Sequence, residues 1–568
     1  MKHLVDELLD VARSTPDVVA LRWFGGRDGG RVREEVTFGG LAERVERTAA
    51  GLRAQGMEPG DRVLFSIRPR PEGVVLCLAV LRAGGAVVFV DPGSTPELFA
   101  ARIAAARPRW AATEALLYAA SSGPLRGVAR SRGLLLPDYG RLPVRHLYTG
   151  RWLPGVPRGA HRVARLGRAV PGAARASGEV AEADREALVV FTSGTTSDPK
   201  AVVHTARTLG GMLDLFAQVG DLKPGQRAHT DQMFLGLPAI IAGGTWEIPA
   251  KAPKDAPEAF ARGVAGADSS FLVPADVTAL LDVLEAEGDT GRAASAAGPA
   301  VLAVGAAPVT VALLERGRRV LPGTRWLAVY GATEILPAAV TDADEKIAAA
   351  AAGDLVGRPL GGIGVRIDAA ARDAEDPGDP GDPGDPTDSG DPDDEREVGE
   401  LVLTGPSLMA GYLADLDAGR ARAVEHRTGD LAYQDAEGRI VLVGRNRDMI
   451  IRGTVNIYPG LFEPRLRELP GVADAVLVGV PVPDGDERVV LVVTAAGGTR
   501  DADAAPVVRA GTALARAVAD QVAQVLDHGA LPDLVVEATH VPVAGRSRKP
   551  DRRALVSLVS PLTGTVRA

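Results

Sequence analysis

The stretch from Leu188 to His204, LVVFTSGTTSDPKAVVH, constrains this chain more than any other. Its opening, Leu188-Val189-Val190-Phe191, is an apolar run long enough for one buried strand. The run then breaks into Thr192-Ser193-Gly194-Thr195-Thr196-Ser197-Asp198-Pro199-Lys200, which crowds hydroxyls, a glycine and one ammonium together. Hydroxyls, freed backbone N–H groups and a cation are what a polyphosphate requires, and nothing in the loop suits an apolar ligand. A polar surface loop that happens to end in lysine would look similar. The Walker pattern G-x-x-x-x-G-K-[ST] is not met, because Pro199 precedes Lys200 and Ala201 follows it. The stretch reads as a phosphate loop of another kind.

Strands and helices alternate on both sides of it. Residues 1–20 read as an amphipathic helix ending near Pro16, followed by a strand pair at Val19–Trp23 and Val32–Phe38. Thr37 then caps a helix with Leu41, Val45, Ala49 and Leu52 on one face. The strand Val63–Ile67, a helix over 72–82 and the strand Ala86–Val90 complete a pattern that predicts an α/β fold with a parallel, doubly wound sheet. Residues 120–185, dominated by Arg, Gly, Pro and Ala, give no placeable elements. Later strands are expected at Ser269–Val273, Ala300–Val304, Trp326–Val329 and Gly399–Thr404. Residues 373–397 repeat Gly-Asp-Pro with almost no apolar side chains, which predicts a solvated, disordered acidic insert.

At 568 residues the chain needs at least two domains. The polar bridge Gly444-Arg445-Asn446-Arg447-Asp448 marks the boundary, giving a large domain over 1–444 and a small α+β domain over 445–568. The small domain is expected to hold a helix at Leu461–Leu469, strands at Ala475–Val480 and Val489–Val493, a long helix near 505–527 and a strand at Leu534–Glu537. A formal charge of −9 argues against nucleic acid as a partner. The single cysteine, Cys77, lies in an apolar run and allows no disulfide within the chain. The N-terminus lacks the apolar core of a signal peptide and no segment is apolar enough to span a bilayer, so the cytoplasm is the expected location.

Five further stretches stand in fixed order after the loop. They are Val304-Gly305-Ala306-Ala307-Pro308; Val329-Tyr330-Gly331-Ala332-Thr333-Glu334; Gly399–Gly405 with Gly411-Tyr412; Thr428-Gly429-Asp430-Leu431-Ala432; and Gly444–Gly453 with Asn456-Ile457-Tyr458-Pro459. Each alone is an ordinary turn, hairpin or linker. Together they resemble the adenylate-forming superfamily of acyl-CoA synthetases, peptide-synthetase adenylation domains and luciferases, over nearly the whole chain.

The resemblance implies a large N-terminal domain, a small mobile C-terminal lid and an active site between them. It also implies a reaction: a carboxylate attacks the α-phosphate of ATP with Mg²⁺, giving an acyl-adenylate and pyrophosphate. A thiol, that of coenzyme A or of a phosphopantetheine on an acyl-carrier protein, then takes the acyl group. By position in the motifs, Thr192, Ser193, Gly194, Thr195 and Thr196 with Lys200 would hold the β- and γ-phosphates. Glu334 would bind Mg²⁺ and Thr333 would touch the α-phosphate. Gly305, Ala306, Ala307 and Tyr330, with Gly331 beside it, would flank the adenine. Asp430 would accept the ribose hydroxyls, and Arg445 would reach the ribose or phosphate. Lys549, in register before Asp551-Arg552-Arg553-Ala554-Leu555, matches the catalytic lysine, whose ammonium bridges the carboxylate and the α-phosphate. The acid would lie among residues between Met233 and Trp246 and between Gly305 and Tyr330, mostly apolar, which favours an aliphatic acid. The chain is expected to act as a monomer or homodimer.

Four positions depart from the family pattern. Ser197 and Ala201 stand where glycine is usual, making the loop less pliable. The stretch Thr230–Leu237 offers Met233 or Phe234 where many acyl-CoA synthetases carry histidine; His229 is out of register and His204 reads as structural. Thr454 replaces a glycine lining the pantetheine tunnel, and Arg548 replaces the glycine before Lys549. These leave adenylation intact and bear on the thiol step. Asp91-Pro92-Gly93 and Tyr330–Glu334 followed by Ile335-Leu336-Pro337 look like the olefin-pathway β-lactone synthetases, in which a 3-hydroxy acid's own hydroxyl displaces AMP. A non-catalytic nucleotide-binding paralogue is the alternative of another class, and the presence of Lys549, Glu334 and Asp430 speaks against it.

Overall fold

The computed structural model describes residues 3–563 except 27–28, 91–95, 124, 132–135, 167–181, 192–199, 287–297, 308, 350–353, 369–396, 446–449, 453–454, 458, 483–485, 497–505, 527–529 and 545–548. The loop residues Thr192–Pro199 and nearly all of the Gly-Asp-Pro insert lie outside the described residues.

Two large sheets dominate. The first has eight strands in the order Gly411–Tyr412, Ala201–Thr205, Glu186–Phe191, Ala86–Phe89, Arg62–Ser66, Trp110–Glu114, Arg145–Thr149, His161–Arg162. From Glu186–Phe191 to His161–Arg162 every pairing is parallel; the two at the other edge are antiparallel. Parallel strands are covered on both faces, so they read as unbroken apolar runs: Val63, Val87, Val88 and Val189 are fully buried. The second sheet has thirteen strands. Val19–Gly25, Thr245–Ile248, Arg227–His229, Ser269–Leu272, Val301–Val304 and Arg325–Ala332 run parallel. The chain then reverses at residues 333–334 into Ile335–Asp342, and Asp354–Pro359, Ile440–Arg445, His426–Gln434, Gly399–Thr404 and Gly364–Asp368 continue antiparallel.

The helix Pro71–Arg82 is buried on all sides and shares one core with residues of both sheets, including Val63, Leu188, Trp246 and Leu327. A helix apolar all round belongs between layers. Thr37 caps Phe38–Ala54 by accepting from Gly40 N, as expected from sequence. Thr205 and Thr208 form a reciprocal capping box at the start of Ala206–Val219, fixing how the strand Ala201–Thr205 turns into its helix.

Residues 450–559 gather their apolar side chains into two clusters of their own. The strands Val472–Pro481, Glu487–Ala495, Leu534–Ala538 and Val508–Ala510 form one sheet. The long helix expected near 505–527 is not there. Val508–Ala510 pairs with Leu534–Ala538, and a helix follows only over Ala513–Gln521. The helical periodicity of the second part was extended through residues that add an edge strand instead. Arg552 Nη1 reaches Glu463 Oε1 at 2.7 Å and the Leu477 carbonyl at 2.8 Å, pinning the last helix, Arg552–Thr563, to this sheet. Between residues 120 and 185 the structure places helices at Arg126–Ser131 and Val163–Leu166, the strand Arg145–Thr149 and, outside it at the sheet edge, the strand His161–Arg162.

Candidate active site

Three segments are stitched together where the two sheets meet. Gly411 pairs with Val203, and Ala410 N donates to the Val203 carbonyl at 2.7 Å. Met409 N donates to the Glu334 carbonyl at 2.7 Å. His204 Nε2 donates to the Thr333 carbonyl at 2.9 Å. This imidazole is fully buried, and burial lowers its pKa, so it acts as a neutral strut behind the 333–334 turn. The expectation that His204 is structural agrees with this placement.

The strut aims two side chains. Tyr412 Oη donates to Glu334 Oε1 at 3.0 Å, and Lys200 Nζ lies 5.0 Å from the Tyr412 ring centroid. One tyrosine thus carries a cation on its face and a carboxylate at its hydroxyl. A hydrogen bond to a charged acceptor contributes about 1.5–3 kcal/mol, and a cation on a ring face about 0.5–2 kcal/mol. Glu334 Oε2 has no protein partner among the described residues. Among those residues no three His, Cys, Asp or Glu side chains converge as a metal cage. One carboxylate completed by phosphate oxygens is how Mg²⁺ is commonly held, so the donor set fits that ion.

Beside this cluster, Tyr330 Oη donates to Asp430 Oδ2 at 2.5 Å, joining the last few residues of Arg325–Ala332 to the middle of His426–Gln434. Gly429 takes φ 73°, and Thr428 Oγ1 accepts from Asp430 N while donating to the Leu401 carbonyl. The left-handed glycine turns the strand so that Asp430 meets Tyr330. Arg445 stands directly opposite Asp430 in the antiparallel ladder. Lys549 pairs with Ala544 in a short hairpin, and Asp551, two residues on, caps the final helix by accepting from Ala554 N.

The small-residue stretch 305–307 is tightly constrained. A Cβ at Gly305 would stand 2.9 Å from the Val329 carbonyl oxygen and 3.2 Å from Phe271 Cζ. Ala306 adopts φ 66°, a left-handed conformation that costs a non-glycine residue about 1–2 kcal/mol. A Cβ at Gly331 would lie 2.7 Å from Leu336 Cδ1, the residue after the turn. Of the stretch expected to line the acid pocket, Met233, Leu237, Ile240 and Trp246 are absorbed by the main core. Phe234, half-buried and edge-on to Phe89 with centroids 5.7 Å apart, is better placed to meet a substrate. His229 is buried against Phe260 and 3.6 Å from Glu247, away from any role in the loop.

Sequence reasoning quoted Tyr412 only as half of a Gly-Tyr pair and missed His426 altogether. His426 is half-buried, four residues before Asp430 on the same strand. Burial lowers its pKa, although Glu334, Asp430 and Glu400 pull the other way. The spacing to Asp430 was the available signal.

The chain belongs to the AMP-binding enzyme family, whose sequence profile matches residues 8–413. It is 30% identical over 522 residues to the olefin β-lactone synthetase of Xanthomonas campestris pv. campestris, with 86% of each chain covered. It is 28% identical over 524 residues to the feruloyl-CoA synthase of an Amycolatopsis species, covering 86% of this chain and 88% of that one. Among solved structures, the amide bond synthetase McbA from Marinactinospora thermotolerans superposes with a TM-score of 0.71 at 25% identity, covering 98% of this chain and 99% of that one. The fold is that of the adenylate-forming enzymes, and the chain is an AMP-forming ligase of that class. Members of the family work with ATP and with coenzyme A or a carrier protein. No helix among the described residues is long and apolar enough to cross a membrane.

Proposed function

We propose that this chain activates an aliphatic carboxylic acid with ATP and passes the acyl group to the thiol of coenzyme A or of a carrier-protein pantetheine. The observation that carries the first half is the joining, through Tyr412, of Lys200 and Glu334 beside the Tyr330–Asp430 pair. A cation, a carboxylate with one oxygen unpartnered among the described residues and a second carboxylate bonded to Tyr330 match what a metal-bound nucleoside triphosphate presents: phosphate, phosphate-bound metal and ribose.

In this reading a carboxylate oxygen of the acid forms a bond to the α-phosphorus while the bond to pyrophosphate breaks. Two anions approach each other, so the site must supply positive charge and oriented donors. Lys200 and the hydroxyls of Thr192–Thr196 hold the departing phosphates, and Thr333 donates to the α-phosphate. Asp430 fixes the ribose, and Arg445 supports it from the facing strand. Gly305, Ala306, Ala307, Gly331 and Tyr330 frame the adenine. Mg²⁺, held through Glu334, would neutralise phosphate charge. Lys549, brought in by residues 445–568, orients the attacking carboxylate. In the second half the thiol sulfur attacks the acyl carbonyl and AMP leaves.

The 30% identity to a β-lactone synthetase over 86% of the chain favours a second reading, in which a 3-hydroxyl of the substrate replaces the thiol and closes a four-membered ring. Incubation with ATP and a panel of acids and 3-hydroxy acids, with and without coenzyme A, followed by mass analysis, separates the two. A thioester that requires coenzyme A supports the first; a lactone formed without thiol replaces it with the second. Absence of AMP with every acid would overturn both.

A further inference from the structure

A second cationic site lies at the opposite end of the eight-stranded sheet. Ligands of open parallel sheets bind beyond the carboxyl ends of the strands, where the phosphate loop follows Phe191. Arg145 is instead the first residue of its strand, and Gln55 caps the C-terminal end of the helix Phe38–Ala54. Between them opens a cavity of about 380 Å³, lined by Gln55, Arg145, His146, Arg158, Gly159 and His161 among others, with no carboxylate in its wall. Four strand spacings of about 4.8 Å separate Glu186–Phe191 from Arg145–Thr149, so the cavity is displaced roughly 19 Å across the sheet as well as lying at its other end.

Positive charge is concentrated here, although Arg141 pairs with Asp138 and Arg162 lies near Glu72, both acids outside the cavity wall. From Tyr139 to Leu166 there are six arginines, two histidines and no acidic residue, in a chain whose net charge is −9. Arg145 is fixed: it lies 5.2 Å from the Trp110 ring centroid and donates to the Gln55 carbonyl across the bare backbone of Gly56. His146 is spent on Tyr118 Oη at 2.9 Å and the Leu142 carbonyl at 3.2 Å, and burial lowers its pKa. Arg158 and His161 have no ion-pair or hydrogen-bonding side-chain partner among the described residues. A preset guanidinium, a second one free to close and an imidazole around a nucleotide-sized cavity are a donor set for phosphate oxygens.

We infer that this cavity binds a soluble phosphate ester or inorganic phosphate, at a site separate from the ATP site. Arg158→Gln with His161→Gln removes the two unpartnered donors from exposed or half-buried positions, leaving the fold and the acid-dependent release of AMP unchanged. Binding of radiolabelled inorganic phosphate to the full chain is measured by equilibrium dialysis for the wild type, this double variant and Lys200→Ala. The wild type is expected to show two classes of site. Lys200→Ala should retain the class that the double variant loses, with affinity in the double variant at least tenfold weaker. Competition by adenosine 3′,5′-bisphosphate at the retained class identifies a nucleotide as the ligand, and failure to compete identifies a simple phosphate; either supports the site. Equal phosphate binding by the wild type and the double variant, or loss of all binding in Lys200→Ala, would overturn it.

Discussion

At one end of the eight-stranded sheet, Lys200 rests on Tyr412, whose hydroxyl holds Glu334; at the other, Arg158 and His161 line a cavity with no acid in its wall. The first end mixes one cation with carboxylates and the second is cationic, so they are built for different work. The Lys200 end is a network in which each charge is aimed by a neighbour and backed by backbone bonds from three segments. Such preorganisation matters where charge must be stabilised as it develops. The Arg158 end presents charge to solvent with little second-layer support, which suits reversible capture of an anion. If this contrast is right, single substitutions at the first end should cost reaction rate, and those at the second should cost only phosphate binding.

The largest effect is expected from Lys549→Ala. Removing the group that orients the attacking carboxylate should lower the rate of acid-dependent AMP formation by about 10²–10³-fold. ATP binding, measured by calorimetry, should be retained. Unchanged AMP release would remove Lys549 from the reaction and leave the Lys200 end as a nucleotide site only. Asp430→Asn comes next. It keeps the shape but weakens acceptance from the ribose hydroxyls and from Tyr330 Oη, each bond to a charged acceptor contributing about 1.5–3 kcal/mol. The KM for ATP should rise about 10–100-fold while that for the acid stays within about twofold. An equal rise in both would mean that Asp430 supports the fold rather than the nucleotide.

Asp231 tests whether the network end tolerates an unpaired charge. It follows the parallel strand Arg227–His229, at the carboxyl end where the site lies. Burial, reinforced by Asp276 and only partly offset by Lys254, raises its carboxyl to about 6. The unfolded chain releases this proton near pH 4, whereas the folded chain holds it until about pH 6. Over that window the folded state binds more protons, so stability falls as pH rises, and the loss is complete above the folded pKa. Asp231→Asn should therefore stabilise the protein by about 2 kcal/mol at about pH 8, with the advantage vanishing near pH 4. Thermal unfolding across that range checks the sign; a gap independent of pH would mean that the carboxylate is not penalised by burial.

The parts of the fold legible in the sequence are those where one interaction decides the outcome. Leu188–Phe191, Val63–Ile67 and Ala86–Val90 were readable because strands buried on both faces need unbroken apolar runs, and each lies within about two residues of its observed place. The hairpin return Ile335–Asp342 carries two alanines and a proline and escaped notice, although it fixes where Glu334 stands. Arg145–Thr149 was unreadable because a strand that carries Arg, His and Tyr owes its place to pairing with Trp110–Glu114 and His161–Arg162, not to its own pattern. At the candidate site, Asp430 and Glu334 stood out in the sequence through motif order. Tyr412 owes its position to cross-strand contacts between segments far apart in the chain, which no local spacing encodes. Gly305 is expected beside the adenine by resemblance, and the adjoining strand by itself already disfavours a side chain there.

Tyr412→Phe is the smallest and sharpest test of the contrast between the two ends. The substitution keeps the ring on which Lys200 rests and removes only the hydroxyl that donates to Glu334. Glu334 would keep its place through the Met409 N–H bond to its carbonyl and the His204 bond to the Thr333 carbonyl, so the loss is confined to carboxylate orientation. One hydrogen bond to a charged acceptor, partly replaced by water at a half-exposed position, corresponds to about 1–1.5 kcal/mol, or about tenfold in rate. If Glu334 holds Mg²⁺, that loss should be recovered in part by raising the Mg²⁺ concentration, because a poorly aimed carboxylate weakens binding without abolishing it. A rate loss insensitive to Mg²⁺ would assign Tyr412 to the packing of Lys200 alone. Phosphate binding at Arg158 and His161 should not change in either case, since no part of the Tyr412 network reaches the far end of the sheet.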